Sequence, residues 1–335
     1  MFEINQYDIK DTKLPQVFNN TVIAHVSDLH SANYGENQKD LLEAIKKAGP
    51  DYIAITGDLI DSNYNDIDIV MNFINGAVNI APTFYVTGNH EAWTTLYVKL
   101  EKALVDAGVI LLRDEVIRLT KGNESISIIG LDDPDFLDIQ TSENKDLSIK
   151  TFIYNLTGKD GLLGNGEVVS FNESYRSRLL DNINSSLSSK VRASLLSQNK
   201  LNLRAASLMT DSSGALSLDY SLNKNEGFVE KLKFLTSLVE DYSIVLSHRP
   251  EFFKDFVRAK ANLVLTGHTH GGQVRFPILG NVYSPHQGLF PKYSDGLYTE
   301  NNTNMIISRG LGNSGLPFRF NNPAELIIVK LSNNY

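Results

Sequence analysis

The sequence predicts an α/β fold in which helices cover a sheet built from parallel crossovers. Two patterns lead to this prediction: short apolar runs alternate with amphipathic segments in the first third of the chain, and strand-like runs dominate the rest. Size and composition agree with it. The chain has 335 residues, 42% of them hydrophobic and 21% charged, which is ordinary for a globular protein and enough for a large core.

The first third of the chain alternates strand and helix. Strands are predicted at 21–27, 52–56 and 83–87. Helices are predicted at 36–48, 66–78 and 97–107. Because short connections link these segments in the order β-α-β-α-β, we expect a sheet of parallel strands with helices on its faces.

The remainder of the chain is rich in strands and is interrupted once. Strands are predicted at 109–112, 116–119, 125–131, 243–246, 262–265, 273–276, 304–308 and 325–331, and a helix at 228–239. We therefore divide the chain into one domain made of residues 1–137 and 226–335, and an insertion segment made of residues 138–225.

The insertion segment differs in composition from the rest, being rich in Ser, Leu and Asn. Apolar residues recur in it at every fourth position, which predicts one helical stripe: Leu179, Ile183, Leu187, Val191 and Leu195. We interpret the segment as a mostly helical subdomain. Three roles stay open: packing on the parent domain, a cap or lid over an active site, or a face that meets lipid or a partner.

Composition excludes several classes of function. The net charge of −8 argues against nucleic acid as a partner, because phosphate neutralisation needs an excess of Lys and Arg. The absence of cysteine excludes disulfides, thiolate metal ligands and a cysteine nucleophile. We expect neither a signal peptide nor a transmembrane segment in this sequence, since no apolar run approaches ~20 residues. A cytoplasmic location, or one peripheral to the membrane, is expected.

Five polar stretches each follow an apolar strand. They are Asp28-Leu29-His30, Gly57-Asp58-Leu59-Ile60-Asp61, Gly88-Asn89-His90-Glu91, Ser247-His248-Arg249 and Gly267-His268-Thr269-His270. Strand ends of an open α/β sheet meet at one edge, so these loops can share one crevice. Carboxylate, amide and imidazole donors suit Mn²⁺, Fe²⁺ or Zn²⁺. Any one stretch alone is better explained by an ordinary hydrogen-bonded residue; their convergence favours a metal site.

Together the five stretches resemble the calcineurin-like metallophosphoesterases, and they occur in that family's order between residues 28 and 270. The extended stretch at 267–273 and the later Ser308-Arg309-Gly310-Leu311-Gly312 are similar to the bacterial YkuE/YaeI-type branch. The resemblance implies a four-layer αββα sandwich with two mixed β-sheets. Residues 1–137 and 226–335 would be its catalytic domain, whereas the insertion segment is not part of the resemblance.

The resemblance also implies a set of ligands and roles for two divalent metal ions. One ion would be held by Asp28, His30 and His270, the other by Asn89, His248 and His268, with Asp58 bridging both. Mn²⁺ is the first metal to test, with Fe²⁺ and Zn²⁺ as alternatives. The pair would activate a shared water, whose hydroxide attacks phosphorus in line with the leaving oxygen. By the same resemblance His90, oriented by Asp61, stabilises the phosphoryl charge or protonates the leaving group.

Other residues near these stretches are weaker candidates. Substrate contacts are proposed for three of them, Arg249, His286 and Arg319, although Arg249 could equally begin a surface turn. His25, inside the first predicted strand, is interpreted as a core residue, and Glu91 as a support for its loop. Trp93, the only tryptophan, is expected in the core or at a rim rather than as a stacking surface.

The sequence therefore predicts a dinuclear metal-dependent phosphohydrolase, with phosphodiesters favoured. Its substrate would be a phosphate-ester small molecule or a lipid head group. An alternative is a membrane-surface pyrophosphohydrolase of a lipid- or nucleotide-linked substrate, in which residues 138–225 contact the membrane and shelter an acyl chain. A nuclease and a non-catalytic metal-binding scaffold are less favoured, the first because of the acidic charge and the second because no ligand is missing.

Overall fold

The computed structural model describes most of the chain outside the insertion segment. The described residues are 1–63, 66–136, 223–272, 287–314 and 319–333, with short strand segments at 161–162, 168–170, 208–210, 216–218, 275–276, 280–281 and 283–284. The apolar stripe of the insertion segment and His286 lie outside the described residues.

Six strands form the first sheet. Numbered along the chain, they are Phe2–Lys10 (β1), Val22–Val26 (β2), Tyr52–Thr56 (β3), Thr83–Val86 (β4), Ile110–Leu111 (β5) and Ala324–Ser332 (β20). Their order is β1-β20-β2-β3-β4-β5. The strands β2 to β5 are parallel, whereas β20 is antiparallel to β2 and parallel to β1. The sheet is therefore mixed, with the predicted parallel crossovers at its centre.

Eight strands form the second sheet. They are Glu115–Lys121 (β6), Glu124–Gly130 (β7), Gly161–Leu162 (β8), Val168–Ser170 (β9), Tyr242–Leu246 (β12), Leu263–Thr266 (β13), Gly296–Glu300 (β18) and Thr303–Ile307 (β19). Their order is β18-β19-β13-β12-β7-β6-β9-β8. The central strands β19, β13, β12 and β7 are parallel, and antiparallel strands flank them on both sides.

The described helices and the remaining strand pairs complete the fold. The helices are Lys39–Ala48 (α1), Ile67–Val78 (α2), Asn89–Trp93 (α3), Tyr97–Asp106 (α4), Lys224–Ser237 (α5) and Phe253–Arg258 (α6). The strand pairs are Leu208–Thr210 (β10) with Leu216–Leu218 (β11), Arg275–Phe276 (β14) with Gly280–Asn281 (β15), and Tyr283–Ser284 (β16) with Gly288–Leu289 (β17). Among the helices of this described part, none has both the length and the apolar character needed to cross a membrane.

The two sheets pack face to face because apolar side chains alternate along their strands. Tyr52 and Phe84 of the first sheet belong to one buried cluster with Ile128, Leu246 and Leu265 of the second. The opposite face of the first sheet packs against α1, α2 and α4, and that of the second sheet against α5 and α6. The four-layer αββα sandwich is therefore confirmed.

Predicted and observed elements agree best where apolar runs are continuous. The predicted strand at 52–56 matches β3 at both ends, and most other bounds shift by one or two residues. The strand β1 and the helices α3 and α6 were not predicted. The helix α5 begins at Lys224 rather than 228, because the Asn223 side chain accepts hydrogen bonds from the backbone N–H groups of Asn225 and Glu226.

The insertion segment is described only in part. Its strand β9 pairs with β6 and therefore extends the second sheet. Its other described residues are β8, β10, β11 and the start of α5. The predicted helical stripe lies outside the described residues, and the division of the chain at 138–225 stays a prediction.

His25 is a core residue, as the sequence predicted. Its side chain is fully buried in β2, and its Nε2 lies 2.8 Å from Thr56 Oγ1. Burial lowers the pKa of His25 to about 3, although the nearby Asp28 carboxylate acts in the opposite direction. The imidazole is therefore neutral in the folded protein, whereas in the unfolded chain it takes up a proton near its ordinary pKa of about 6.5.

This difference predicts a pH-dependent loss of stability. Above about pH 6.5 both states are neutral at His25, and below it only the unfolded state binds the proton, so the folded state loses about 1.4 kcal/mol per pH unit. We expect the free energy of unfolding to fall more steeply between pH 6.5 and 4.5 in the wild type than in His25→Gln. Urea titrations at several pH values measure this; parallel pH profiles would contradict it.

Candidate metal centre

The candidate site lies where the parallel strands of both sheets end. The loops after β2, β3 and β4 of the first sheet carry Asp28, Asp58 and Asn89. The loops after β12 and β13 of the second sheet carry His248 and His268. The carboxyl edges of the two sheets thus meet at one place, as expected for strand ends in this class of fold.

Two glycines allow these loops to approach one another closely. Gly57 has a φ of +85°, and a Cβ there would lie 2.5 Å from the backbone N of Gly88. A Cβ at Gly267 would lie 1.8 Å from Ser27 Oγ and 2.2 Å from Asp28 Oδ2. Any larger residue at either position would push the loops of the site apart.

The backbone of the site is strained at the residues that carry its side chains. Non-glycine residues with positive φ include Asp28 (50°), His30 (45°), Asp58 (52°), His268 (72°) and His270 (49°). A left-handed conformation costs a non-glycine residue roughly 1–3 kcal/mol, and it persists only where the surroundings enforce it. Backbone hydrogen bonds from Asp28 N to Gly57 O and from His30 N to Asp58 O, both 3.0 Å, hold two of these residues in place.

A first cluster of ligand atoms comes from Asp28, His30, Asp58 and His270. One ligand atom of each lies within 4.8 Å of the others, and all four side chains are buried. The Nε2 atoms of His30 and His270 are 3.1 Å apart. His270 Nε2 lies 3.3 Å from Asp28 Oδ1, and His30 Nε2 lies 3.6 Å from Asp58 Oδ2.

A second cluster shares Asp58 and adds His248 and His268. His248 Nε2 lies 3.1 Å from Asp58 Oδ2 and 3.2 Å from His268 Nδ1. Asn89 begins the helix beside this cluster. Its Oδ1 is buried, and within the described part of the chain it has no hydrogen-bond partner. Asp58 is thus the one side chain common to both clusters.

His90, on α3, borders the first cluster. Its Nδ1 accepts a hydrogen bond from Ser62 N (3.0 Å) and lies 3.5 Å from Asp61 Oδ2. Burial lowers the pKa of His90, while Asp58 acts against this shift. A neutral His90 that accepts at Nδ1 carries its proton on Nε2, the atom 3.1 Å from the Ser314 hydroxyl. The Ser62 amide therefore sets the tautomer, and Asp61 lies close enough to help orient the ring.

One histidine in each cluster has a strongly shifted pKa, and the two shifts have opposite signs. This matters because a protonated imidazole nitrogen cannot bind a cation. Burial lowers the pKa of His270 to about 3, so its ring is neutral and offers a lone pair. Burial also disfavours a charged His248, but the Asp58 carboxylate outweighs it and raises the pKa of His248 to about 10. The histidines in turn hold the pKa of Asp58 well below its usual range despite its burial.

These residues fit a divalent metal centre. Imidazole nitrogens face each other at 3.1 and 3.2 Å in a buried region, and two such lone pairs repel unless a proton or a cation lies between them. The buried Asn89 Oδ1 is a further oxygen without a donor among the described residues. Oxygen and imidazole donors together suit a borderline divalent cation.

Glu91 supports the loops of the site, as the sequence predicted. Its carboxylate accepts hydrogen bonds from the backbone N–H groups of Asp58 (2.8 Å), Leu59 (2.7 Å) and Gly88 (2.7 Å), and it is fully buried. Burial and the neighbouring Asp58 raise the pKa of Glu91 to about 7. One side chain thus fixes the loops after β3 and β4 relative to each other.

Arg249 is buried rather than placed in a surface turn. Its guanidinium donates to Asp133 (Nη2 to Oδ1, 2.9 Å) and to Asp135 (Nη2 to Oδ2, 3.2 Å), and Nη1 lies 3.3 Å from His268 Nε2. Sequence reasoning missed the acidic loop that follows β7. The sequence did contain a signal for this loop, because its acidic residues also follow directly after an apolar strand.

Arg319 lies beside the other cluster. Its Nη2 is 3.3 Å from His270 Nδ1, Nη1 donates to the Arg309 carbonyl at 2.7 Å, and Nε donates to Asn313 Oδ1 at 3.0 Å. Both arginines therefore contact a histidine of the candidate site. Their role as substrate contacts stays a prediction, and His286 lies outside the described residues.

Comparisons with known proteins agree with this geometry. A family model described as calcineurin-like phosphoesterase matches residues 21–147. The chain is 24% identical to the uncharacterized metallophosphoesterase YkuE of Bacillus subtilis, over 99% of this chain and 86% of YkuE. It is 23% identical to an uncharacterized metallophosphoesterase of Aquifex aeolicus, over 98% of this chain and 91% of that protein. Over 89 residues it is 34% identical to phosphodiesterase YaeI of Escherichia coli, covering 26% and 32% of the two chains.

The fold and these matches define a class of protein, the metallophosphoesterases, which are hydrolases of phosphate esters. Within that class, the chain is similar to the calcineurin-like phosphoesterases over residues 21–147 and to the YkuE and YaeI proteins.

The high pKa of His248 predicts that cation binding displaces a proton. In the metal-free protein near neutral pH, His248 is protonated, and the proton occupies the nitrogen that a cation would need. We expect Mn²⁺ binding at pH 7.5 to release about one proton, and its affinity to fall as the pH is lowered. Isothermal titration calorimetry in HEPES and in Tris measures the release through the different heats of buffer protonation.

The matched control for this experiment is His248→Gln, which cannot carry that proton and should release fewer protons on metal binding. Equal binding enthalpies in the two buffers for the wild type would show that no proton leaves and would contradict the prediction.

Proposed function

We propose that this chain is a dinuclear metal-dependent phosphohydrolase that acts on phosphodiesters. The observation that carries the proposal is the position of Asp58, whose carboxylate is shared by two clusters of buried imidazole and carboxylate groups. One carboxylate common to two neighbouring clusters is the arrangement that a pair of cations requires.

In this proposal the two clusters hold two divalent cations, with Mn²⁺ the first choice and Fe²⁺ or Zn²⁺ as alternatives. One cluster comprises Asp28, His30 and His270, the other Asn89, His248 and His268, and Asp58 belongs to both. When bound, such a pair would lower the pKa of a shared water and draw charge from the substrate's phosphate oxygens. The strained loops and Glu91 keep the ligand atoms in place before any cation arrives, which reduces the cost of assembling the site.

His90 is proposed as the group that stabilises the charge on the phosphoryl and leaving oxygens by a hydrogen bond from Nε2, while the departing oxygen takes its proton from solvent. Because the Ser62 amide donates to Nδ1, the ring is neutral and carries its one proton on Nε2, where it can donate a hydrogen bond without losing that proton. Asp61 lies close to the Nδ1 atoms of both His30 (3.4 Å) and His90 (3.5 Å) and helps to orient the two rings. The Ser314 hydroxyl near Nε2 occupies the position where a leaving oxygen would be expected.

The phosphodiester preference is supported by the similarity to a protein named phosphodiesterase, YaeI. The substrate would be a phosphate-ester small molecule or a lipid head group. The acidic net charge continues to argue against nucleic acid.

Two substitutions test the proposal directly. Asp58→Ala removes the carboxylate common to both clusters, and His268→Ala removes one imidazole of the second cluster. We expect each to reduce the Mn²⁺-dependent hydrolysis of bis(p-nitrophenyl) phosphate by more than about a hundredfold. Steady-state rates at saturating Mn²⁺ measure the loss.

The matched control is Asp8→Asn. This substitution alters an exposed carboxylate on β1, the edge strand of the first sheet. It should retain full activity. Circular dichroism of all variants verifies the fold, and undiminished turnover by either site variant would refute the assignment.

A second candidate function is hydrolysis of a lipid- or nucleotide-linked pyrophosphate at a membrane surface. One observation favours it beyond the apolar stripe of the insertion segment: the β16–β17 hairpin ends in Leu289 and Phe290, which are 69% and 62% exposed. Two adjacent exposed apolar side chains at the end of β17 are suited to insertion into the lipid interface.

Sedimentation with phosphatidylglycerol–phosphatidylcholine vesicles tests this candidate. If it is correct, the wild type should sediment with vesicles, and Phe290→Ser or Leu187→Ser should reduce the bound fraction severalfold, because each removes apolar contact area. The control is Leu297→Ser, which removes an exposed leucine from β18. Negligible sedimentation of every protein, wild type included, would eliminate the membrane-surface function.

A further inference from the structure

Trp93 is the only tryptophan of the chain, and it lies beside His90. It is the last residue of α3, and its ring centroid is 5.0 Å from that of His90, with 48° between the ring planes. The indole is 52% exposed. Trp93 therefore lies at a rim of the site rather than in the core: its ring packs at a tilt against His90 while much of it faces solvent.

The exposed indole is held in a fixed orientation. Its Nε1 donates to Asp135 Oδ2 at 3.0 Å. Asp135 is itself buried, and it accepts further hydrogen bonds from Arg249 (3.2 Å) and from Lys224. An aromatic ring fixed in this way loses little conformational freedom when something packs on its open face.

The position of Trp93 coincides with the more accessible side of the site. Among the candidate metal ligands exposure is 5% or less, whereas His90 and Asp61 are 7% and 9% exposed. Asp61 and His90 thus have the largest exposed fractions among these residues, which favours their side as the one that substrate approaches. Trp93 borders that side.

We propose that the open face of Trp93 is the contact surface for a planar aromatic leaving group, such as a nucleobase or an aryl ring. This inference rests on the proposed function: if His90 Nε2 donates a hydrogen bond to the leaving oxygen, the group attached to that oxygen lies next to His90 and hence next to Trp93. Aromatic rings recognise one another through offset stacking, which every nucleobase and aryl group can supply. Trp93 would thus determine leaving-group specificity without taking part in bond breaking.

Competitive inhibition tests the proposal with three phosphate monoesters that share the same dianion: AMP, phenyl phosphate and glycerol 3-phosphate. The Mn²⁺-loaded protein is assayed on bis(p-nitrophenyl) phosphate. Loss of stacking on alanine substitution corresponds to roughly a tenfold or greater loss of affinity. We therefore expect Trp93→Ala to raise the inhibition constants of AMP and phenyl phosphate about tenfold, and to leave that of glycerol 3-phosphate unchanged.

Two further variants keep the test decisive if the alanine variant folds poorly. Trp93→Phe retains a flat ring and should preserve most of the preference for aromatic phosphates, whereas Trp93→Leu retains apolar bulk without a ring and should lose it. An equal rise of all three constants would show that Trp93 only supports His90 and would overturn the proposal. No change in any constant would overturn it as well.

Ligand binding can also be measured without turnover. Because Trp93 is the only tryptophan, tryptophan fluorescence of the protein comes from this residue. AMP should change the Trp93 emission of the Mn²⁺-loaded wild type at the concentration where it inhibits, and glycerol 3-phosphate should change it much less. An emission unaffected by saturating AMP would contradict the contact. If the wild type fails to hydrolyse bis(p-nitrophenyl) phosphate, the proposed function fails, and the fluorescence titration still decides the aromatic contact separately.

Discussion

The geometry of the site depends on one buried carboxylate, Asp58. Its Oδ2 lies 3.1 Å from His248 Nε2 and 3.6 Å from His30 Nε2, and its Oδ1 accepts the His90 amide at 2.9 Å. These contacts join the Asp58 loop to loops that follow three other strands, β2 and β4 of the first sheet and β12 of the second. A buried carboxylate is stable only when charges or donors surround it, so the position of Asp58 requires that the two sheets end at the same edge.

Much of this arrangement can be predicted from the sequence, for a physical reason. Strands buried on both faces are continuous apolar runs, so β3 is predicted at both ends, and the polar residues after such strands stand out. The strand β1 was missed because it lies at the sheet edge and all but one of its side chains are exposed or half-buried, which leaves no apolar run. The sequence named Arg249 as a candidate but did not predict its burial, because its partner Asp133 lies 116 positions away in the sequence.

Family resemblance and local geometry provide different kinds of information about the site. The spacing of the polar stretches predicted which side chains converge, but not the hydrogen bonds behind them. Glu91 illustrates this: its role follows from three backbone donors in two loops, which only the folded chain brings together. Ser62 is a second example. Its backbone amide sets the His90 tautomer, and a backbone contact of this kind cannot be predicted from a side-chain motif. Contacts made by the backbone leave no signature in residue type.

The metal-ligand side of the site and the side of His90 and Trp93 are built differently. This difference affects how substrate specificity can change among related enzymes. The candidate metal ligands are buried on strained loops that glycines and Glu91 lock together, so substitutions there disturb several strands at once. His90 and Trp93 lie on the short helix α3 at the accessible side, where Trp93 is fixed mainly through Asp135. A residue held by one hydrogen bond at the surface can be replaced without moving the ligand loops. Specificity for the leaving group can therefore vary at the exposed end of α3, because Asn89 and Glu91 at its buried start hold the metal site while Trp93 at its end faces solvent.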